Sequence, residues 1–315
     1  MYRNRPQRIV QKTTLVLGAG ASCAVGYPTN EELIDGICLR FKEGNMHREN
    51  AVNSHIVSGT NLDGFITALR QSQKQSIDQF LKQRPTFDSI GKYAIANELI
   101  LRESEEQLTE NGRHSWYREL SNFLGNNPAD HRLRIITFNY DRSLEQFLFN
   151  TLRASTGERA EEVASKINAL GIQHVHGQLD GLPWQESDSP SKREYANNPS
   201  VANILFASQG IRLTHQASDE VNNPSSPAAA VHAAERVYFL GFGFHDDNLQ
   251  HLDLPLDHLF EGKFFGASVT KMKQTYVDSL KSRFPEMMLF DTIDSAFEHM
   301  VEHGSEWPTT DRDDE

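Results

Sequence analysis

Three apolar runs of this chain end on residues able to do chemistry. In residues 13–29, TTLVLGAGASCAVGYPT, a β-branched and aliphatic run breaks into Gly18 and Gly20. Glycines at the end of a buried strand let the backbone turn sharply and approach a phosphate, with the next helix's N–H groups facing the anion. In residues 133–145, LRIITFNYDRSLE, a second run leads into Asn139, Tyr140 and Asp141, and in residues 172–177, IQHVHG, a third ends on His176 and Gly177. An imidazole with an unperturbed pKa near ~6.5 is suited to take a proton from water or a hydroxyl at neutral pH. An asparagine can hold hydroxyls or order a water, and a carboxylate can accept from an amide N–H. Each residue also has a plainer role. His176 can be satisfied by backbone, Asn139 can be a turn residue, and Asp141 can cap a helix that begins near Ser143.

These residues serve one site only if the fold brings them together, and polar residues at strand C-termini line the crevice of an open parallel sheet. The hydrophobic pattern predicts such a sheet, with strands at 13–17, 133–138, 172–176, 237–242, 264–269 and 287–291. Helices are predicted from Asn30, at 143–153, 159–169, 227–235 and 271–283, and in a short stretch after His245. The expectation is an α/β, Rossmann-like doubly wound parallel sheet forming a single domain over 13–292. Residues 41–127 show no strand pattern and read as a helical insertion or cap. The polar, proline-containing stretch 178–226 is expected to be a functional or mobile loop, flanking the pocket opposite the helical segment as a lid would. The acidic tail, 305–315, is expected to be disordered. Gly241 and Gly243, after the strand VYFLGF, either permit a tight turn or receive part of a ligand.

Composition narrows the function. The 315 residues, 38% hydrophobic and 23% charged, suit an ordinary globular core. The formal charge of −12 argues against direct binding of nucleic acid. The basic opening MYRNRPQR lacks an apolar signal core, and no run approaches membrane-spanning length, which predicts a cytoplasmic protein with no membrane partner. Cys23 and Cys38 are the only cysteines, too few for a disulfide framework or a four-cysteine zinc site. His299 and His303, at i and i+4, suit a solvated helix face better than a metal, and Asp246 and Asp247 read as helix-capping residues. No metal is expected.

In order along the chain, GAGAS, FNYD, HG and GFGFHDDNL resemble the sirtuin-like superfamily, specifically the divergent branch found in bacterial anti-phage systems. The resemblance implies that NAD binds at Gly18, Ala19, Gly20, Ala21, Ser22, Pro28 and Thr29, with Asn139, Asp141, Gly177, Gly241 and Gly243. It assigns catalysis to Asn139, His176 and Asp141. Thr29, Asn30 and Glu31 replace the Asp, Phe and Arg of the deacylases' cofactor loop, and the paired Cys-x-x-Cys zinc ribbon is absent. Both departures count against protein deacylation. The third glycine of the oxidoreductase fingerprint G-x-G-x-x-G would fall at Cys23, which counts against hydride transfer.

The activity this resemblance implies is hydrolysis of NAD, as substrate, to nicotinamide and ADP-ribose, in an effector that depletes NAD during infection. His176 would take a proton from water or a ribose hydroxyl, Asn139 would hold the ribose hydroxyls or the water, and Asp141 would accept from the nicotinamide carboxamide. A constitutively active enzyme of this kind would poison its host. Control through a homo-oligomer, or through a sensor or ATPase protein of the same system, is therefore expected. The rival readings are a catalytically silent module that signals on binding NAD or ADP-ribose, and a sirtuin-type deacylase.

Overall fold

A computed structural model describes residues 8–186, 189, 191–213, 226–255 and 262–306. Strands β1 (Arg8–Ile9) and β8 (Ser305–Glu306) pair antiparallel as a small ribbon. The main sheet holds β2 (Thr13–Leu17), β3 (Leu133–Thr137), β4 (Ile172–His174), β5 (Arg236–Leu240), β6 (Phe264–Ser268) and β7 (Met288–Phe290). All its pairings are parallel, in the order β4-β3-β2-β5-β6-β7. Counted among the parallel strands alone, this is 3-2-1-4-5-6, the order of the dinucleotide-binding sheet, with its switch point between β2 and β5. The fold is the α/β, Rossmann-like arrangement expected.

The strands are apolar on both faces, so alternation divides them between two cores. Leu15, Leu17, Ile135, Tyr238 and Leu240 face one apolar cluster; Val16, Ile136, Val237, Phe239 and Phe265 face the other. The first cluster also takes in the helical segment. Its helices Met46–Asn53, Gly59–Gln71, Ile77–Gln83, Glu105–Gly112 and Trp116–Leu124 each start at an Asn or Ser whose side chain accepts a backbone N–H of the first turn. Phe65, Phe80, Ile95, Trp116 and Leu120 of this segment are buried in the same cluster as Leu15 and Leu17 of β2.

Three expectations change. Within 178–226, the described residues up to 213 are packed rather than a loose loop. Leu179, Leu182, Tyr195, Ile211 and Leu213 are buried, and the helix Val201–Ser208 lies on Asp88–Ile100. Arg193 donates to Asp180 (3.0 Å), and Arg142 donates to the carbonyls of Gly181, Arg193 and Glu194. Irregularly spaced apolar residues and a buried ion network hold this stretch, and neither follows a helix or strand period. Residues 214–225 lie outside the described residues. The tail is ordered at its start, where Ser305–Glu306 pairs with Arg8–Ile9, and 307–315 lie outside the described residues. Asp246 and Asp247 stand in the first turn of the helix Asp246–His251, as expected of its N-terminal end, but the N-cap is His245, and the two carboxylates pair with Arg283 (2.8 Å) and Lys82 (2.5 Å). His299 packs its ring against Tyr238, Phe264 and Phe290. No helix among the described residues is long and apolar enough to cross a membrane.

Candidate active site at the switch point

A cavity of about 700 Å³ opens at the C-terminal ends of β2, β3 and β5. Of the residues singled out from sequence, Gly18, Ala19, Gly20, Thr29, Asn139, His176, Gly241 and Gly243 line it. Ala21, Ser22, Pro28, Asp141 and Gly177 are not among its lining residues.

The glycines have a tighter reason than approach to a phosphate. A Cβ on Gly18 would lie 2.5 Å from the Gly241 carbonyl oxygen, one on Gly20 2.8 Å from Gly241 Cα, and one on Gly241 2.2 Å from Ala21 N. Gly241 also has φ +58. The loops after β2 and β5 touch backbone to backbone, and Gly20 N–H donates to Gly241 O (3.0 Å) while Gly18 N–H donates to Leu240 O (3.1 Å). Those two amides are therefore engaged within the protein. Gly177, at φ +67, serves a chain crossing: its Cβ would lie 2.1 Å from Gly210 O. Thr29 caps the helix Asn30–Arg40, accepting from Glu32 N while its own N–H donates to the Glu32 carboxylate.

Beneath the turn lies a buried polar network. Asn139 Nδ2 donates to Gly18 O (3.0 Å) and Ser22 Oγ (3.1 Å). Ser22 Oγ donates to Asp141 Oδ2 (2.9 Å), and Asp141 Oδ1 accepts from Ser143 N (3.1 Å) and from the Ser143 hydroxyl. With Ser143 donating to Asp141, the Tyr117 hydroxyl donates to Ser143 Oγ (2.7 Å). Trp116 Nε1 donates to Ala21 O (2.9 Å). Asp141, expected to meet ligand, has both carboxylate oxygens engaged, and burial raises its pKa. It fixes Ser22, and through Ser22 the amide of Asn139. Because the Asn139 nitrogen faces a carbonyl, its Oδ1 is the atom left for a ligand.

His176 is 3% exposed, with its ring edge-on to Phe138 (5.3 Å) and His251 (5.4 Å). Its Nδ1 is buried with no hydrogen-bond partner among the described residues. Burial lowers its pKa, Arg212 and His251 add to this, and Asp78 and a bond to Asn248 oppose it. The result is a neutral imidazole with an idle, buried nitrogen on a residue that lines the cavity, a protonation state suited to accepting a proton.

Further residues in and around the site were not singled out from the sequence motifs. His174 Nδ1 faces Asn139 O (2.9 Å) and Nε2 faces Glu145 Oε1 (2.6 Å). A carbonyl and a carboxylate both accept, so the ring is held as an imidazolium; burial alone would lower its pKa, but Glu145 and the Asn139 carbonyl raise it. The alternation H-x-H in IQHVHG was the available hint. Asp78 and Gln79, from the helical segment, line the cavity beside His245, whose Nδ1 accepts from Gln79 Nε2 (3.3 Å) and whose pKa burial lowers. Phe244 and Lys271, flanking the same cavity, hold left-handed φ of 49° and 62°, strain of the kind that collects at working sites. Cys23 lines the cavity, but burial raises its thiol pKa, away from a nucleophilic thiolate. The chain matches no protein-family model and no curated protein.

Proposed function

We propose that this protein is an NAD glycohydrolase of the sirtuin-like kind, splitting NAD into nicotinamide and ADP-ribose. The observation that carries the reading is His176, a buried neutral imidazole with an idle nitrogen, lining a dinucleotide-sized cavity together with Asn139 at the switch point of a 3-2-1-4-5-6 sheet. The bond between ribose C1′ and the pyridinium nitrogen breaks with its electron pair leaving on nicotinamide, which departs neutral and needs no acid. The site must therefore stabilise an oxocarbenium-like C1′ and deliver water. Asn139 Oδ1 accepts from a ribose hydroxyl or the water, His176 takes the proton the water loses, and the new C1′–O bond completes ADP-ribose. Asp141 acts by positioning, since its carboxylate is engaged by Ser22 and Ser143.

An enzyme of this kind drains its host of NAD. We therefore propose that it serves as an anti-phage effector, restrained in a homo-oligomer or by a sensor or ATPase protein until infection. The helical segment lines one side of the cavity with Gln75, Ser76, Asp78 and Gln79, which supports such gating because its movement would change access to the cavity. The test is incubation of the purified chain with NAD, alone and with the products of its genomic neighbours, while free nicotinamide is measured. Nicotinamide release is the expected outcome. Tight binding of NAD with no release under either condition would instead establish a silent binding module.

A further inference from the structure

The cavity contains a carboxylate from outside the sheet. Asp78, in the helix Ile77–Gln83, lines the same cavity as His176 and Asn139. The Tyr140 hydroxyl donates to its Oδ1 (2.5 Å), and the Tyr140 ring lies 6.2 Å from that of His176. Burial, with the carboxylate alongside, pushes the Tyr140 phenol well above its ordinary value, so the phenol keeps its proton and Asp78 is the acceptor.

Of the cations that line the same cavity, Lys271 and Lys273 are both exposed, and Lys273 pairs with Glu31 (3.8 Å). Among the described residues no Lys, Arg or His forms an ion pair with Asp78. Asp247, another carboxylate lining the cavity, is paired with Lys82 of the helix that carries Asp78. His176 and His245 both feel the Asp78 charge but are kept toward their neutral forms by burial. Arg212 is exposed and is not among the residues lining the cavity. Phe138 and Phe242 line the cavity as well, 5.1 Å apart and edge to face. A half-buried carboxylate in a cavity lined by aromatic rings is a site for an organic cation with a flat ring.

We infer that Asp78 is the specificity-determining residue for the positive charge of the substrate, so that this end of the cavity takes a pyridinium ring and discriminates against the neutral dihydropyridine of the reduced nucleotide. The inference rests on the NAD reading above and adds to it the residue that recognises the oxidised ring. As the C1′–N bond breaks, the positive charge moves from the ring to C1′ and the ribose oxygen. The carboxylate stabilises it in both positions and itself forms no bond.

The test uses the intact chain and two probes that it does not turn over, carba-NAD⁺, whose ribosyl bond resists hydrolysis, and NADH. Calorimetry is expected to show carba-NAD⁺ bound at least about tenfold more tightly than NADH. Asp78→Asn should bring the two affinities within about twofold by weakening the cation alone. Tyr140→Phe, which keeps the carboxylate, should retain the preference. Equal affinities in the wild type, or a preference that survives in folded Asp78→Asn, would overturn the inference. Equal wild-type affinities refute the inference even where Asp78→Asn fails to fold, and Asp78→Ala then serves as the second neutral variant, with the same loss of preference expected. A wild type that binds neither nucleotide would overturn the NAD reading and this inference together, whereas equal binding of both would overturn only the role of Asp78.

Discussion

Replacing Gly241 by alanine is expected to remove roughly 4 kcal/mol of folding stability. Alanine at φ +58 is held in the left-handed region, at a cost of about 1–2 kcal/mol. The added Cβ would also lie 2.2 Å from Ala21 N and 2.3 Å from Gly20 C, backbone atoms of a turn anchored by Trp116 and Asn139. Neither side can yield as a side chain does, and overpacking of this kind adds about 1–3 kcal/mol. Two controls separate the contributions. Gly44→Ala, at φ +78 with nothing within 4 Å, should show the backbone strain alone. Gly243→Ala meets the His245 ring first, at 3.0 Å, and should leave stability within about 1 kcal/mol of wild type while displacing that ring at the cavity wall. Urea unfolding of the three variants gives the ranking. Gly241→Ala within about 0.5 kcal/mol of Gly44→Ala would refute the view that these glycines let two loops meet.

Glu103 and Arg142 are both 0% exposed and joined by two hydrogen bonds (2.9 and 3.0 Å), so Glu103→Gln leaves a buried guanidinium without its counterion and should cost about 3–5 kcal/mol in urea unfolding. Stability should fall on acidification from pH 6.5 to 5.5. Unfolded histidines titrate near ~6.5, and His176 and His245 titrate lower in the folded protein, which therefore binds fewer protons in that window. His174 works in the opposite sense, its contribution being present below about 6.5 and lost as pH rises through its raised folded value. His245→Gln should flatten the acid loss, and stability that rises toward pH 5.5 would contradict the assignment. The Cys23 thiol, with its pKa raised by burial, should alkylate with iodoacetamide more slowly at pH 7.5 than a free cysteine, and faster labelling would mean an activated thiolate.

The sheet was legible because its strands are short, apolar on both faces and bounded by glycines or polar residues. Asn139 and His176 could be picked out because each stands just past such a strand, at the edge where a parallel sheet forms its crevice. Sequence order could not say which polar neighbours turn inward. Asp141 follows Asn139 by two residues, yet its carboxylate points into a network with Ser22 and Ser143, partners that the sequence alone could not pair with it. Asp78 stayed hidden for a related reason. Its helix carries an ordinary serine cap and buried Ile77, Phe80 and Leu81, and only the tertiary packing of the helical segment brings it beside His176. The 178–213 stretch resembled a loop because charged residues such as Arg193 and Asp180 are satisfied by partners that no local pattern reveals.

The central claim, that His176 is the base of an NAD-cleaving site, is tested most directly by measuring nicotinamide release from NAD by wild type and by His176→Gln, each with matched thermal midpoints and each with and without the neighbouring gene products. Wild-type release that falls about 10²- to 10⁴-fold in the variant is the expected result. Equal release by a well-folded His176→Gln protein would contradict the role of His176, and no release by the wild type under any condition would contradict the activity itself.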